Sequence, residues 1–170
     1  KRIEAQGVPL KEWDIKINYG IKTGLNEAFI INAEKRSELI AQDPNSEEII
    51  KPILRGRDIK PYKANFQNLY LIATFPSLKL NIDNYPAVKR YLIDFGKDRL
   101  EQTGTKLSDG SKSRKKTGNK WFETQDQIGY YDDFKKEKII YPNMTKYLPF
   151  YLDQKGYYAN QKCFILTGEY

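Results

Sequence analysis

The sequence has no histidine and only one cysteine among its 170 residues. Histidine is the commonest metal ligand and the usual general base near neutral pH, so its absence weakens the case for a metal or acid–base enzyme. The lone Cys163 excludes an intramolecular disulfide and a multi-cysteine zinc site, and the apolar run CFIL around it predicts a buried thiol in a reducing compartment. No apolar run reaches the length of a membrane span, and no signal peptide is visible. We therefore expect a cytoplasmic protein without a membrane partner.

Positive charge and tyrosine are abundant instead. The formal net charge is +7, the isoelectric point is near 9.3, and there are 13 tyrosines against 8 phenylalanines. A basic excess favours a polyanionic partner, and tyrosine joins an apolar ring to a hydrogen-bonding hydroxyl. Tyrosines are equally suited to base stacking and to half-buried strands, so they do not separate these two roles.

The pattern of apolar residues predicts a mixed α+β domain. Strands are expected at 13–19, 27–32, 69–75, 138–144, 148–153, 156–160 and 163–167. Helices are expected at 33–42, at a short segment capped by Ser46, and within 81–102, with Pro86 in the first turn and Gly96 as a weak point. Because strands dominate without a regular βαβ order, we predict mainly antiparallel pairing. Residues 103–120 have no apolar period and are expected to form a long loop.

This long loop concentrates the positive charge. It contains one acid, Asp109, and six cations, which are Lys106, Lys112, Arg114, Lys115, Lys116 and Lys120. Trp121 and Phe122 follow directly. Cations bind phosphates and aromatic faces stack on bases, so the loop favours nucleic acid. The alternative is a solvated loop with Trp121 buried in the core.

Two glycine-containing stretches add further candidates. NYGIKTGLNEAF (18–29) is either a turn leading into a strand or a loop that brings backbone and polar groups close to an anionic ligand. RGRDIK (55–60) supplies two arginines that can bind a phosphate or a guanine edge. Alternatively, Asp58 pairs with a neighbouring arginine and braces a turn at Gly56.

Two enzyme-like patterns occur in the sequence, but neither identifies a catalytic site. GSKSRKKT (110–117) resembles a phosphate-binding loop, but Lys115 stands where the second glycine must be. The nuclease-like dyad DxK occurs at Asp14, Asp58, Asp133 and Asp153, which is uninformative in a lysine-rich chain. We predict no catalytic centre and no metal or cofactor site, and we keep a magnesium-dependent nuclease, an RNA-binding module and a protein-interaction module as alternatives.

Read in order, several stretches resemble the TaqI-like C-terminal specificity domain. They are GIKTGLNEAFII (20–31), SEEIIKPILRGRDIKPY (46–62), LYLI (69–72), YPAVKRYL (85–92), RKKTGNKWFETQ (114–125), KKEKIIYPNM (135–144) and YYANQKCFI (157–165). The resemblance covers residues 13–170, which leaves 1–12 as a lead-in or linker.

The resemblance implies a target-recognition domain of an adenine-specific DNA methyltransferase, as found in type IIG restriction–modification enzymes. It implies an irregular β structure of the DNA-methylase specificity type, with a C-terminal helical hairpin that we expect beyond this sequence. The implied partners are double-stranded DNA and a methyltransferase domain of the same chain. S-adenosylmethionine, and Mg²⁺ where the parent enzyme also cleaves DNA, would bind in the parent enzyme and not in this domain.

The resemblance and the charge pattern together give a set of predicted site residues. We expect the side chains in the first list to contact DNA, mainly at the backbone, and those in the second to shape the domain. The predicted DNA contacts are Lys22, Thr23, Asn26, Arg55, Arg57, Lys60, Arg114, Lys115, Lys116, Lys120 and Trp121. The predicted structural residues are Gly20, Gly24, Gly56, Asp58 and Gly118.

Overall fold

The computed structural model describes residues 6–168, so part of the predicted lead-in and the last two residues lie outside it. The helices are α1 (Asn26–Phe29), α2 (Ala33–Gln42) and α3 (Pro86–Leu100). The strands are β1 (Ile15–Tyr19), β2 (Ile30–Asn32), β3 (Ile50–Leu54), β4 (Ile59–Lys60), β5 (Lys63–Ala64), β6 (Leu69–Ile72), β7 (Lys138–Pro142), β8 (Tyr151–Asp153), β9 (Tyr158–Ala159) and β10 (Cys163–Gly168). None of the helices in this range is long and apolar enough to cross a membrane.

The strands form two sheets and a hairpin. The first sheet has the order β1-β10-β7-β8, the second has the order β2-β6-β3-β9, and β4 pairs with β5. Every pairing is antiparallel except that of β3 with β9. The predicted α+β class with mainly antiparallel strands is therefore confirmed.

Aromatic rings help to fill the core. Phe134 stacks on Tyr158 with 4.9 Å between ring centroids, and Phe75 lies on Tyr158 at 6.3 Å. Apolar residues from both sheets belong to the same core cluster, for example Ile165 of β10 and Leu71 of β6. The thiol of Cys163 is buried as predicted, and burial raises its pKa to about 12.

The strand predicted at 13–19 exists as β1, but the alternation of its apolar residues does not mark a buried face. Ile17 and Tyr19 are exposed. They lie on the outer side of the first sheet, where Tyr19 contacts Phe164 of β10 at 4.9 Å between centroids and Phe164 stacks on Tyr141 of β7 at 5.4 Å. The alternation reflects an apolar outer face and not burial in the core.

The two longer helices follow the prediction. The Asn32 side chain caps α2 by accepting a hydrogen bond of 2.9 Å from the Lys35 backbone amide. Pro86 occupies the first turn of α3, and Gly96 interrupts this helix with a φ of 124°. The weak point predicted at Gly96 is thus a true kink, since only glycine adopts such a φ without strain.

Two local predictions are wrong. Residues 27–32 are not one strand, because α1 makes a helical turn before β2 begins at Ile30. The helix predicted after Ser46 is a 3-10 turn, Pro44–Glu48, whose cap is Asp43. The chain then enters β3, which lies between β6 and β9 in the second sheet. Pairing with β6 places Ile50 and Lys51 in a strand, and this tertiary context overrides the helical appearance of EEIIK.

Candidate nucleic-acid interface

The turn between β9 and β10, residues 160–163, joins the two glycine-containing motifs. We call it the central turn. The backbone amide of Asn160 donates to the Leu54 carbonyl at 2.9 Å, and that of Gln161 donates to the Ile21 carbonyl at 2.9 Å. The central turn therefore fixes residues 20–21 and 54–56 relative to one another through backbone contacts.

Gly20 and Gly56 permit this close approach. A Cβ atom on Gly20 would stand 1.9 Å from the Asn160 carbonyl oxygen, which no side chain could tolerate. A Cβ atom on Gly56 would stand 3.0 Å from the Lys162 carbonyl oxygen. Gly24 is required for a different reason, because its φ is +83°. The structure gives Gly118 no such requirement, since nothing lies within 4 Å of its Cβ position.

Asp58 braces the turn at Gly56, as the alternative interpretation of RGRDIK predicted. Its buried carboxylate accepts three hydrogen bonds of 2.9 Å from Arg55, two from the guanidinium and one from the backbone amide. The side-chain hydrogen bond raises the pKa of Arg55. Arg55 is therefore engaged within the protein, whereas Arg57 and Lys60 on either side of Asp58 are exposed.

Arg114 is buried, unlike the neighbouring lysines of the long loop. Its guanidinium donates four hydrogen bonds of 2.5–3.1 Å to backbone carbonyls, those of Thr23, Leu100, Trp121 and Glu123. The guanidinium carbon also lies 5.0 Å from the centre of the Phe29 ring. Burial lowers the pKa of Arg114 to about 10, so the group stays charged at neutral pH. Arg114 therefore joins the stretch 18–29 to the long loop instead of pointing into solvent.

Thr23 is buried as well, so two of the predicted DNA contacts do not reach the surface in this structure. Its hydroxyl donates to the Asn26 side-chain oxygen at 2.7 Å and accepts from the Leu25 amide at 3.2 Å. Asn26 remains exposed, and Trp121 is half-buried against Phe122. The sequence pattern cannot separate the buried Thr23 and Arg114 from their exposed neighbours, because all of these side chains are polar or cationic.

The other predicted cations are exposed, and none of them forms an ion pair with a carboxylate within residues 6–168. They are Lys22, Arg57, Lys60, Lys115, Lys116 and Lys120. Three helical cations differ from them. Lys35, Arg36 and Lys89 pair with Glu38, Glu47 and Asp83 at 2.5–2.8 Å. The six predicted cations are therefore available to an anionic partner.

Two lysine pairs oppose each other across short antiparallel pairings. Lys60 of β4 is the register partner of Lys63 of β5, and Lys106 is the partner of Lys112 in the long loop. Like charges in directly opposed positions destabilise a strand pair. A bound anion would remove this repulsion, so both pairs are suited to phosphate.

A cleft of about 370 Å³ beside the β4–β5 hairpin contains residues that the sequence pattern did not single out. Its lining includes Lys162 of the central turn, Met144 and Thr145, besides the predicted Arg57 and Lys60. A usable sequence signal existed in residues 142–150, PNMTKYLPF, which carry a lysine and several large apolar side chains but no acid.

Three of the four DxK carboxylates, those of Asp58, Asp133 and Asp153, are engaged in ion pairs within the protein. Asp153 is fully buried and pairs with the equally buried Lys138 at 2.5 Å. Asp133 pairs with Lys136 at 2.7 Å, and Asp58 binds Arg55 as described above. In the described part of the chain, no group of three or more acidic or cysteine side chains is placed to hold a metal ion.

Comparison with known proteins identifies the class. The family model of the TaqI-like C-terminal specificity domain matches residues 51–169, and the chain belongs to this family. The match begins after residues 20–31, in which the resemblance was also seen. No curated protein matches the chain.

A solved structure gives the same fold. The type IIL restriction–modification enzyme MmeI, determined in complex with DNA, is similar over 94% of this chain, with a TM-score of 0.53 and 10% sequence identity. The present chain spans 20% of the length of that protein. At this identity the likeness concerns the fold, which is that of a segment of a much larger enzyme.

Proposed function

We propose that this chain is a target-recognition domain that binds double-stranded DNA for a restriction–modification enzyme. The observation that carries the proposal is the set of six exposed cations without carboxylate partners in the described residues, namely Lys22, Arg57, Lys60, Lys115, Lys116 and Lys120. Such cations neutralise phosphates and release counterions, which supplies most of the affinity for a duplex. Membership of the specificity-domain family and the likeness to a restriction–modification enzyme support the same function.

We further propose that the domain acts in cis with an adenine-specific methyltransferase. In this arrangement the recognition domain holds the duplex in register while the catalytic domain rotates the target adenine out of the helix. S-adenosylmethionine would bind to the catalytic domain and supply the methyl group. The role of the present residues is to position the duplex.

Titration of a fluorescent duplex at several salt concentrations tests DNA binding. We expect the affinity to fall steeply with salt, and the double variant Lys115→Ala/Lys116→Ala to reduce the slope of log K against log [salt] by about 2, since each phosphate contact contributes about 0.9. The control is Lys35→Ala/Lys89→Ala, which removes the same charge from residues that already have carboxylate partners.

Absence of duplex binding at low salt would refute the proposal, as would an equal effect of the control variant. Competition with single-stranded DNA and RNA separates duplex recognition from an RNA-binding module, because only the former is displaced best by duplex. A nuclease would cleave DNA with Mg²⁺ and lose this activity in Asp58→Asn or Asp133→Asn, whereas we expect no cleavage from this chain.

A further inference from the structure

Two loops form the rim of the cleft beside the β4–β5 hairpin, and they carry the most exposed apolar side chains. We call residues 60–63 and 143–150 the tyrosine loops. Tyr62 is 91% exposed, Met144 81%, Tyr147 72% and Leu148 70%, and these are the four most exposed large apolar residues in the range 6–168. Exposed apolar groups in one place mark a binding surface.

The charge around these side chains has one sign. The tyrosine loops carry Lys60, Lys63 and Lys146, while Arg57 and Lys162 line the cleft between them. Neither loop contains an acid, and the nearest carboxylate in sequence, Asp58, is buried against Arg55. An apolar surface bordered by cations alone fits a polyanion with flat apolar groups. A protein partner would need a strongly acidic face to match it.

The tyrosine loops are held in place by backbone hydrogen bonds. The amide of Tyr62 donates to the Phe150 carbonyl at 3.0 Å, which ties the two loops together. The amide of Asn143 donates to the Lys162 carbonyl at 2.9 Å and so ties the longer loop to the central turn. Side chains on a fixed backbone lose less entropy on binding. The loops are thus suited to place apolar side chains at defined positions.

Tyr62 also has an unfavourable backbone conformation, with a φ of +61° at the tip of the hairpin. Glycine or asparagine is the usual residue there, and a large side chain adds strain. The tyrosine ring is 91% exposed, so it gives little packing in return. Strained positions of this kind cluster at functional sites, which supports a role for the ring in binding.

We propose that Tyr62, Met144 and Tyr147 contact the bases of the target sequence and help to determine specificity. In this arrangement the lysines of the tyrosine loops bind the flanking phosphates, and the apolar side chains stack on exposed bases or enter a groove between base steps. The inference rests on the proposed function, and it adds which surface reads the sequence.

Selection from a library of random duplexes tests this assignment. The wild-type chain and the variants Tyr62→Gly, Met144→Ala and Tyr147→Ala are each carried through rounds of binding and sequencing. The control is Tyr19→Ala, which removes an exposed tyrosine on the outer face of the first sheet. Thermal unfolding checks each fold, and we expect Tyr62→Gly to unfold at the same temperature or higher, because glycine tolerates the positive φ.

We expect the wild-type chain and the control to enrich the same sequence. The three variants should enrich a different or degenerate sequence and bind the wild-type duplex about tenfold more weakly or worse, since one stacked base contributes roughly that factor. Their affinity for a scrambled duplex and their salt dependence should stay unchanged.

The outcomes separate this inference from the proposed function. Variants that fold, select the wild-type sequence and retain its affinity would overturn the base-contact assignment and leave DNA binding intact. A wild-type chain that binds duplexes without any preference would overturn it as well. A wild-type chain that binds no duplex would instead remove the proposed function on which the inference depends.

Discussion

Arg114 holds the long loop by binding backbone oxygen atoms from separate parts of the chain. Its guanidinium donates four hydrogen bonds to carbonyls at the end of α3, at Thr23 and in residues 121–123. The planar guanidinium suits this arrangement, because its donors lie in a fixed fork. A lysine, with a single nitrogen and three donors, could not satisfy four carbonyls in different directions.

Arg114→Met should therefore destabilise the protein strongly. The substitution keeps most of the side-chain volume but leaves buried carbonyls without donors, which we expect to lower the free energy of unfolding by about 3 kcal/mol or more. Urea denaturation measures the loss. Lys115→Met is the matched control, because this neighbour is exposed and should change stability by less than about 0.5 kcal/mol. Equal stability of the two variants would contradict the anchoring role of Arg114.

Gly20→Ala should be among the most damaging methyl additions in the chain. The added Cβ atom would lie 1.9 Å from the backbone oxygen of Asn160, so the central turn must move, at a cost of roughly 3 kcal/mol or more. Gly118→Ala is the control, since its Cβ position is open and its φ is not positive. We expect that variant to be neutral or slightly stabilised in thermal unfolding. A Gly20→Ala protein as stable as the wild type would refute the close contact.

At the scale of the element, the kink of α3 directs the last helical turn toward the long loop. After Gly96, Lys97 places its ammonium 5.6 Å from the Trp121 ring centre, and the Leu100 carbonyl accepts from Arg114. A straight helix would carry these residues elsewhere. The kink is therefore part of how the basic loop is attached.

Gly96→Ala should reverse the usual effect of this substitution. In an ordinary helix interior alanine is about 1 kcal/mol more favourable than glycine. Here the φ of 124° is strained for any side chain, so we expect a loss of roughly 1–3 kcal/mol in urea denaturation. Ser37→Ala, at an exposed site in α2, provides the contrast and should be slightly stabilising. A gain in stability for Gly96→Ala would show that α3 straightens without cost.

The sequence predicts elements well where one local signal acts alone. Period and capping define α2, Pro86 and Gly96 mark the start and the kink of α3, and alternating or apolar runs locate β6, β7 and β10. Prediction fails at EEIIK, because pairing with β6 draws Ile50 and Lys51 into β3 and leaves the two glutamates in the preceding 3-10 turn. It also misjudges the buried face of β1, since alternation cannot tell the core from an exposed apolar surface.

At the scale of the whole molecule, the buried and half-buried phenols predict a loss of stability in alkali. Burial raises the pKa of seven tyrosines above the ordinary value of 10.0, namely Tyr85, Tyr91, Tyr130, Tyr141, Tyr151, Tyr157 and Tyr158. A group with a raised pKa in the folded state stabilises fully below its unfolded pKa, and this stabilisation is lost as the pH rises. The thiol of Cys163 acts in the same direction between pH 9.0 and about 12.

We therefore expect the free energy of unfolding to fall as the pH rises from about 9 to above 10. The lowered pKa values of Lys51, Arg114 and Lys138 oppose this trend, but the phenols outnumber them. Urea denaturation at constant ionic strength, together with tyrosinate absorbance, measures both effects. Stability that stays level or increases over this range would show that the phenols ionise without unfolding.

The positive charge of the candidate site could be predicted from the sequence, but which of its side chains are buried and which are exposed could not. Lysine-rich loops are visible in the sequence. The burial of Arg114, in contrast, depends on carbonyls supplied by distant residues such as Thr23. The tyrosine loops were missed for a related reason. Their lysines are few, and only the fold brings residues 60–63 beside residues 143–150.

The central turn has a consequence for how such a domain can change over generations. It is joined to residues 20–21 and to Leu54 by backbone hydrogen bonds, with the glycines providing room. Every residue except proline supplies both a backbone N–H and a carbonyl, so these junctions do not depend on which side chains the adjoining tyrosine loops carry. Substitutions at positions such as 62, 144 and 147 therefore leave these junctions in place. Such a domain can acquire a new target sequence by substitution without losing its fold.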